Sequence, residues 1–115
     1  MKYKVIFSTG YIDDSESLMK GYKSDILLLD ESNNYYEPNF VELEVIKNGF
    51  GEEKVCYLEN NLVILHSVTK ENILRSIPDL HQWSFYLHWK PLSGELVEKY
   101  FYPKEEWVVF EVIIE

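Results

Sequence analysis

The chain has 115 residues, the size of one domain (residues 1–115) around one core, and 46% hydrophobic with 16% aromatic side chains exclude a disordered tail. Its apolar runs at 26–29 and 62–65 are far shorter than the ~20 residues of a membrane span, and a single cysteine, Cys56, excludes an internal disulfide or a four-cysteine zinc knuckle. Eleven Lys plus Arg stand against twenty Asp plus Glu, a formal net charge of −9, which disfavours nucleic acid and anionic lipid and favours a cationic protein partner.

Met1-Lys2-Tyr3-Lys4 runs into Val5-Ile6-Phe7 without a long apolar stretch or a small-residue cleavage site, so the cytoplasm is the expected compartment. From Lys2 to Ser8, Tyr3, Val5 and Phe7 alternate with polar residues, the pattern of a half-buried strand. Asp13 to Gly21 has acids in a first turn, Lys20 in a last turn and a stop glycine, which predicts a short helix. Ile26-Leu27-Leu28-Leu29 is apolar on both faces and predicts a buried central strand.

Phe40 to Lys47 alternates, Val41, Leu43 and Val45 against Glu42 and Glu44, and predicts a strand with one wet face that ends at the Asn48-Gly49 turn. Lys54 to Leu58 and Leu62 to Ser67 read as paired strands. Thr69 is placed to cap a second helix, with Ile73, Leu74 and Ile77 on one side and Pro78 limiting its extension. In the last third, Trp83 to Lys90, Leu96 to Tyr102 and Trp107 to Ile114 predict a three-stranded meander. Helices between runs of strands define an α+β fold: a mostly antiparallel β-sheet with one or two short helices packed on it.

Catalytic and cofactor chemistry finds little support. Cys56 and His66 fall on strands expected to pair, yet a lone strand cysteine is most often a small buried hydrophobe. His66, His81 and His88 have no metal-site spacing, and no Gly-Lys-Ser/Thr phosphate loop exists. Glu42 and Glu44, two apart on a strand, have the spacing of an acid and base pair, and a solvated strand face produces the same spacing without chemistry. The chain is therefore read as a non-enzyme without metal or cofactor.

The charge is unevenly spread. Asp30 to Glu59 holds eight acids against two lysines, a net −6 of the total −9, and carboxylates recur beside tyrosines at Tyr11 with Asp13, Asp14 and Glu16, and at Tyr35-Tyr36-Glu37. Tyrosine supplies rigid contact area with a polar tip, and carboxylates accept paired bonds from arginine, a combination suited to plugging a basic pocket.

The stretch Asn60 to His66, the helix Thr69 to Leu74 and the terminal Trp107-Val108-Val109-Phe110-Glu111-Val112, in a small acidic α+β chain, resemble bacterial immunity proteins of polymorphic toxin and contact-dependent growth inhibition systems. The resemblance covers size, charge and style and carries no diagnostic motif. It implies a non-catalytic inhibitor of a cognate basic toxin domain, often a nuclease, with no nucleic-acid or membrane partner. Charge density selects the expected contact residues: Glu31, Tyr35, Tyr36, Glu37, Glu42 and Glu44, with Asp13, Asp14 and Glu16 as a second cluster. The alternative is an accessory domain that holds an apolar ligand among Trp83, Trp89 and Trp107.

Overall fold

The computed structural model describes residues 1–49 and 61–115. In chain order the described elements are β1 (Lys2–Phe7), α1 (Ser15–Lys20), β2 (Tyr22–Lys23), β3 (Ile26–Leu29), β4 (Tyr35–Tyr36), β5 (Asn39–Glu42), α2 (Leu43–Gly49), β6 (Leu62–Leu65), α3 (Lys70–Gln82), α4 (Gly94–Phe101) and β7 (Val108–Ile113). Short 3-10 turns lie at Phe85–Leu87 and Lys104–Glu106. The fold class is α+β, as the element pattern indicates.

Two sheets organise the chain. The first runs β4-β3-β1-β7 and is antiparallel throughout; the second runs β2-β5-β6, with β5 and β6 parallel. β1 is the hub, pairing Phe7 with Ile26 on one side and with Val108 on the other. On one face of the first sheet Tyr3, Val5, Phe7, Ile26 and Leu28 form a core with Ile73 and Ile77 of α3, Phe85, Trp89 and Phe40 of β5, so both sheets share it. On the opposite face Ile6 and Leu27 are sealed by Val97 and Phe101 of α4. Burial on both faces accounts for the unbroken apolar run of β3.

The α1 helix ends at Gly21, which takes a left-handed φ of 75° that favours glycine. A Cβ there would stand 2.2 Å from Cγ2 of Val45, so the close approach of α2 also demands glycine. Thr69 caps α3, its hydroxyl accepting from the Asn72 N–H at 3.1 Å, as its position before the apolar stripe indicates. Pro78 does not stop this helix, which continues to Gln82. The proline ring is exposed, and it forfeits one donor on the solvent side while Ile73 and Ile77 stay buried beneath.

Three strand expectations are corrected. Phe40 to Lys47 is strand only to Glu42 and then turns into α2. There Leu43 and Ile46 are half-buried while Glu44, Val45 and Lys47 are exposed, a three-residue spacing that belongs to a helix. Asn48-Gly49 therefore closes a helix and not a strand. Leu96 to Tyr102 is mostly α4: Ser93 caps it by accepting from the Leu96 N–H at 3.3 Å, and Val97 and Phe101, four apart, share the buried side. Trp83 to Lys90 forms a 3-10 turn that buries Phe85 and Trp89, again four apart. Of the expected meander, only the last strand forms, and the described residues hold four helices. The expected strand Lys54 to Leu58, with Cys56, lies outside the described residues; β6 pairs instead with β5.

Candidate functional site

An open groove of about 1040 Å³ lies where the chain leaves β1. Its walls are residues 9–17, from the β1–α1 connection into α1, Lys20 and residues 22–25 around β2, and Glu106 and Val108 where the chain enters β7. The sheet register brings these together: Phe7 pairs with both Ile26 and Val108, so the neighbouring Asp25 and Glu106 come alongside residues 8–10.

Hydrogen bonds hold the connection in shape. The Ser8 N–H and hydroxyl both donate to the Asp25 carbonyl, at 3.1 and 2.7 Å, and the Thr9 hydroxyl donates to the Asp25 carboxylate. Gly10 turns the chain at a φ of 88°, its N–H donating to the Phe7 carbonyl at 3.1 Å. Tyr11 then packs edge-on against Phe7 and Phe110. Asp14 Oδ1 accepts from the Lys70 N–H at 2.8 Å, tying the connection to the first turn of α3. Asp13 accepts from the N–H and hydroxyl of Ser15, which holds its carboxyl below the ordinary range.

Five carboxylates line the groove, Asp13, Asp14, Glu16, Asp25 and Glu106, against the two ammonium groups of Lys20 and Lys23. Lys20 neutralises Glu16 at 2.6 Å and Lys23 neutralises Asp25 at 3.0 Å, leaving the charges of Asp13, Asp14 and Glu106 unmatched by either lysine. The hydrogen bond from Lys20, and then its charge, lower the Glu16 carboxyl. Burial first, then a hydrogen bond with Asp14 and the two aspartate charges, push the Tyr11 phenol up. Beside these acids Ile12 stands 96% exposed and Tyr22 48%, and both line the same groove. An exposed apolar tip among carboxylates has the make-up of a protein-binding surface, with an anchor surrounded by charges that set orientation and encounter rate.

The residues expected from the sequence separate into two outcomes. Asp13, Asp14 and Glu16 come together in the groove. Glu31, Tyr35, Tyr36, Glu37, Glu42 and Glu44 do not form one surface. Tyr36 is buried at 3% exposure, edge-on to Phe85, because its face of β4 points into the main core, so it leaves the contact set. Tyr35 is half-buried against Trp107 on the other face. Glu31, in the β3–β4 turn, accepts the Lys2 N–H at 2.9 Å. The Glu37 carbonyl accepts from the Asn61 side chain at 3.0 Å. Glu42 ends β5, while Glu44 lies on α2, where it faces Lys47 at 3.7 Å; the proposed common strand face for these two does not exist. Asp30 is occupied by the N–H groups of Ser32 and Asn34, each at 2.9 Å.

Ile12, Tyr22, Asp25 and Glu106 were not among the expected residues. The local signal for Ile12 was an isolated apolar residue between Tyr11 and two aspartates in a loop; Asp25 and Glu106 carry no local signal, since only strand pairing brings them in. The tryptophans do not converge. Trp89 is core and meets Trp83 edge-on at 6.4 Å, whereas Trp107 packs with the opposite cluster and donates to the Phe101 carbonyl. Among the described residues no three His, Cys, Asp or Glu side chains are placed to hold a metal ion, and no helix is long and apolar enough to cross a membrane. No protein family matches this chain, and no curated protein or solved structure does either.

Proposed function

We propose that this chain is a non-catalytic binding protein of the immunity type, which occupies the basic active-site surface of a cognate toxin domain, a nuclease, in the cytoplasm. The observation that carries the reading is the groove, where an excess of carboxylates surrounds the protruding Ile12. A nuclease surface that holds phosphates is positively charged, and Asp13, Asp14 and Glu106 stand in for those phosphates while Ile12 and Tyr22 supply apolar contact. The net charge of −9 speeds the encounter at a distance.

The test is co-expression with a basic nuclease toxin domain, taken first from any toxin whose gene adjoins that of this chain. Wild type is expected to keep cells alive, Asp13→Lys with Glu16→Lys to lose that protection, and Glu95→Lys with Glu98→Lys, exposed on α4 and not lining the groove, to retain it. In kinetics the groove variant is expected to associate at least tenfold more slowly at low salt. Protection by the groove variant equal to wild type would overturn the reading.

A further inference from the structure

Among the described strands, β7 is an edge of the first sheet. Met1 and Ile114 exchange backbone hydrogen bonds, 3.2 Å from the Met1 ammonium and 2.8 Å from the Ile114 N–H, and the register continues through Tyr3 with Val112 and Val5 with Phe110. Bonded and non-bonded pairs alternate along an antiparallel ladder. Val108, Phe110 and Val112 therefore bond to β1, while Val109, Glu111 and Ile113 turn their N–H and C=O groups outward. The phase is consistent on the far side of β1, where the Lys2 N–H points away from Ile113 and donates to Glu31. No described strand meets the outward groups of β7.

Of the ordinary protections this edge carries only one charge, Glu111, which Lys2 meets at 3.6 Å. Val108-Val109-Phe110-Glu111-Val112-Ile113 contains no proline, glycine or lysine and pairs with β1 over six residues without a bulge. Val109 is 45% and Ile113 66% exposed. Such a strand either pairs with its own kind or holds a partner, and two copies at −9 each repel. The first residue of β7, Val108, and Glu106 just before it also line the acidic groove. A segment running antiparallel to β7 travels from Ile113 toward Val108, and its C-terminal continuation enters that groove.

We infer that β7 accepts, as a fifth strand of the first sheet, an extended segment of a cationic protein, with apolar residues over Val109 and Ile113 and basic residues following at the C-terminal end of the segment, in the groove. The inference rests on the groove being the partner surface and specifies what part of the partner it reads: main-chain hydrogen bonds supply affinity, and the basic end supplies direction.

The probe is a fluorescein-labelled peptide of alternating valine and threonine that ends in three arginines, followed by anisotropy. Wild type is expected to bind it. Glu111→Pro is expected to weaken binding at least tenfold, because it removes an outward donor and leaves the ladder to β1 in place. The peptide N-methylated throughout its strand segment is expected to lose binding to wild type, a comparison that does not depend on the folding of a variant. Moving the arginines to the N-terminal end is expected to weaken binding several-fold. Equal binding of the N-methylated peptide, of the reversed peptide or of arginines alone would overturn the inference. So would a dimer in sedimentation that Glu111→Pro dissolves, which would give the edge to a second copy. If Glu111→Pro still protects cells while the groove variant does not, strand addition fails and the proposed function stands.

Discussion

Tyr3 shows how one side chain joins the core to the end of a helix. It is 2% exposed, its ring lies at 5.6 Å from that of His81, and its hydroxyl hydrogen-bonds His81 Nδ1 at 2.7 Å. Burial, and then the charge of Asp30, push its phenol from 10.0 up to about 12. An unfolded tyrosine gives up its proton near pH 10 and this one near pH 12, so between those values the unfolded state binds fewer protons and stability falls as the pH rises. Tyr36, raised by burial and then by Asp30, acts in the same direction. Urea unfolding at pH 9 and pH 11.5 is expected to show wild type losing about 1–2 kcal/mol more than Tyr3→Phe over that interval, while Tyr3→Phe costs about 1 kcal/mol at pH 9 for its hydrogen bond. An identical loss in the two proteins would mean that the Tyr3 phenol does not resist ionisation in the folded state.

Among the elements, α4 decides how the first sheet is closed. Without it, Ile6 and Leu27 would face water on the side opposite the main core; with it, Val97 and Phe101 make a second cluster bordered by Leu29, Tyr35, Leu92 and Trp107. Phe101→Ala is expected to cost about 3 kcal/mol, the range for a buried aromatic cut to alanine, whereas Tyr100→Ala, at 65% exposure, is expected to stay within about 0.5 kcal/mol. Equal losses would mean that the helix does not pack through Phe101. The sequence hides α4 because its β-branched and aromatic residues, Val97, Tyr100, Phe101 and Tyr102, favour strand, although the four-residue step from Val97 to Phe101 belongs to a helix. At α2 and around Phe85 a period of two fits as well as a helical one, and it misleads. Ser93, a capping residue three before Leu96, was the local signal that favoured helix. Where only one period fits, as along β1, in the apolar run of β3 and after Thr69, the sequence reads correctly. The second apolar layer was illegible in β1 because Ile6 lies on the nominally polar face between Lys2, Lys4 and Ser8, and only α4 makes that position dry.

For the whole molecule, charge acts differently near and far. Density along the chain pointed to residues 30–59, of which 50–59 lie outside the described residues; among the described acids Asp30 serves its own turn, Glu31 meets the Lys2 backbone and Glu44 meets Lys47. The groove collects acids from three separate stretches, at Asp13 to Glu16, Asp25 and Glu106, and that assembly requires the register of β1 with both neighbours. Only the cluster local in sequence was therefore legible in advance. The ion pairs of the surface are mostly exposed, as in Glu16 with Lys20 and Glu71 with Arg75, and exposed pairs contribute little to stability. Repulsion within a chain of net −9 is long-ranged and sums over all sites. Raising ionic strength from about 0.01 M to 0.15 M shortens the screening length from about 30 Å to 8 Å, which weakens that repulsion over distances comparable to the 43 × 31 × 29 Å molecule while leaving contacts near 3 Å less affected. The melting temperature at pH 7 is therefore expected to rise by a few degrees, about 1 kcal/mol at this size. A melting temperature that falls with salt would show instead that local pairs outweigh the net field in the stability of the fold.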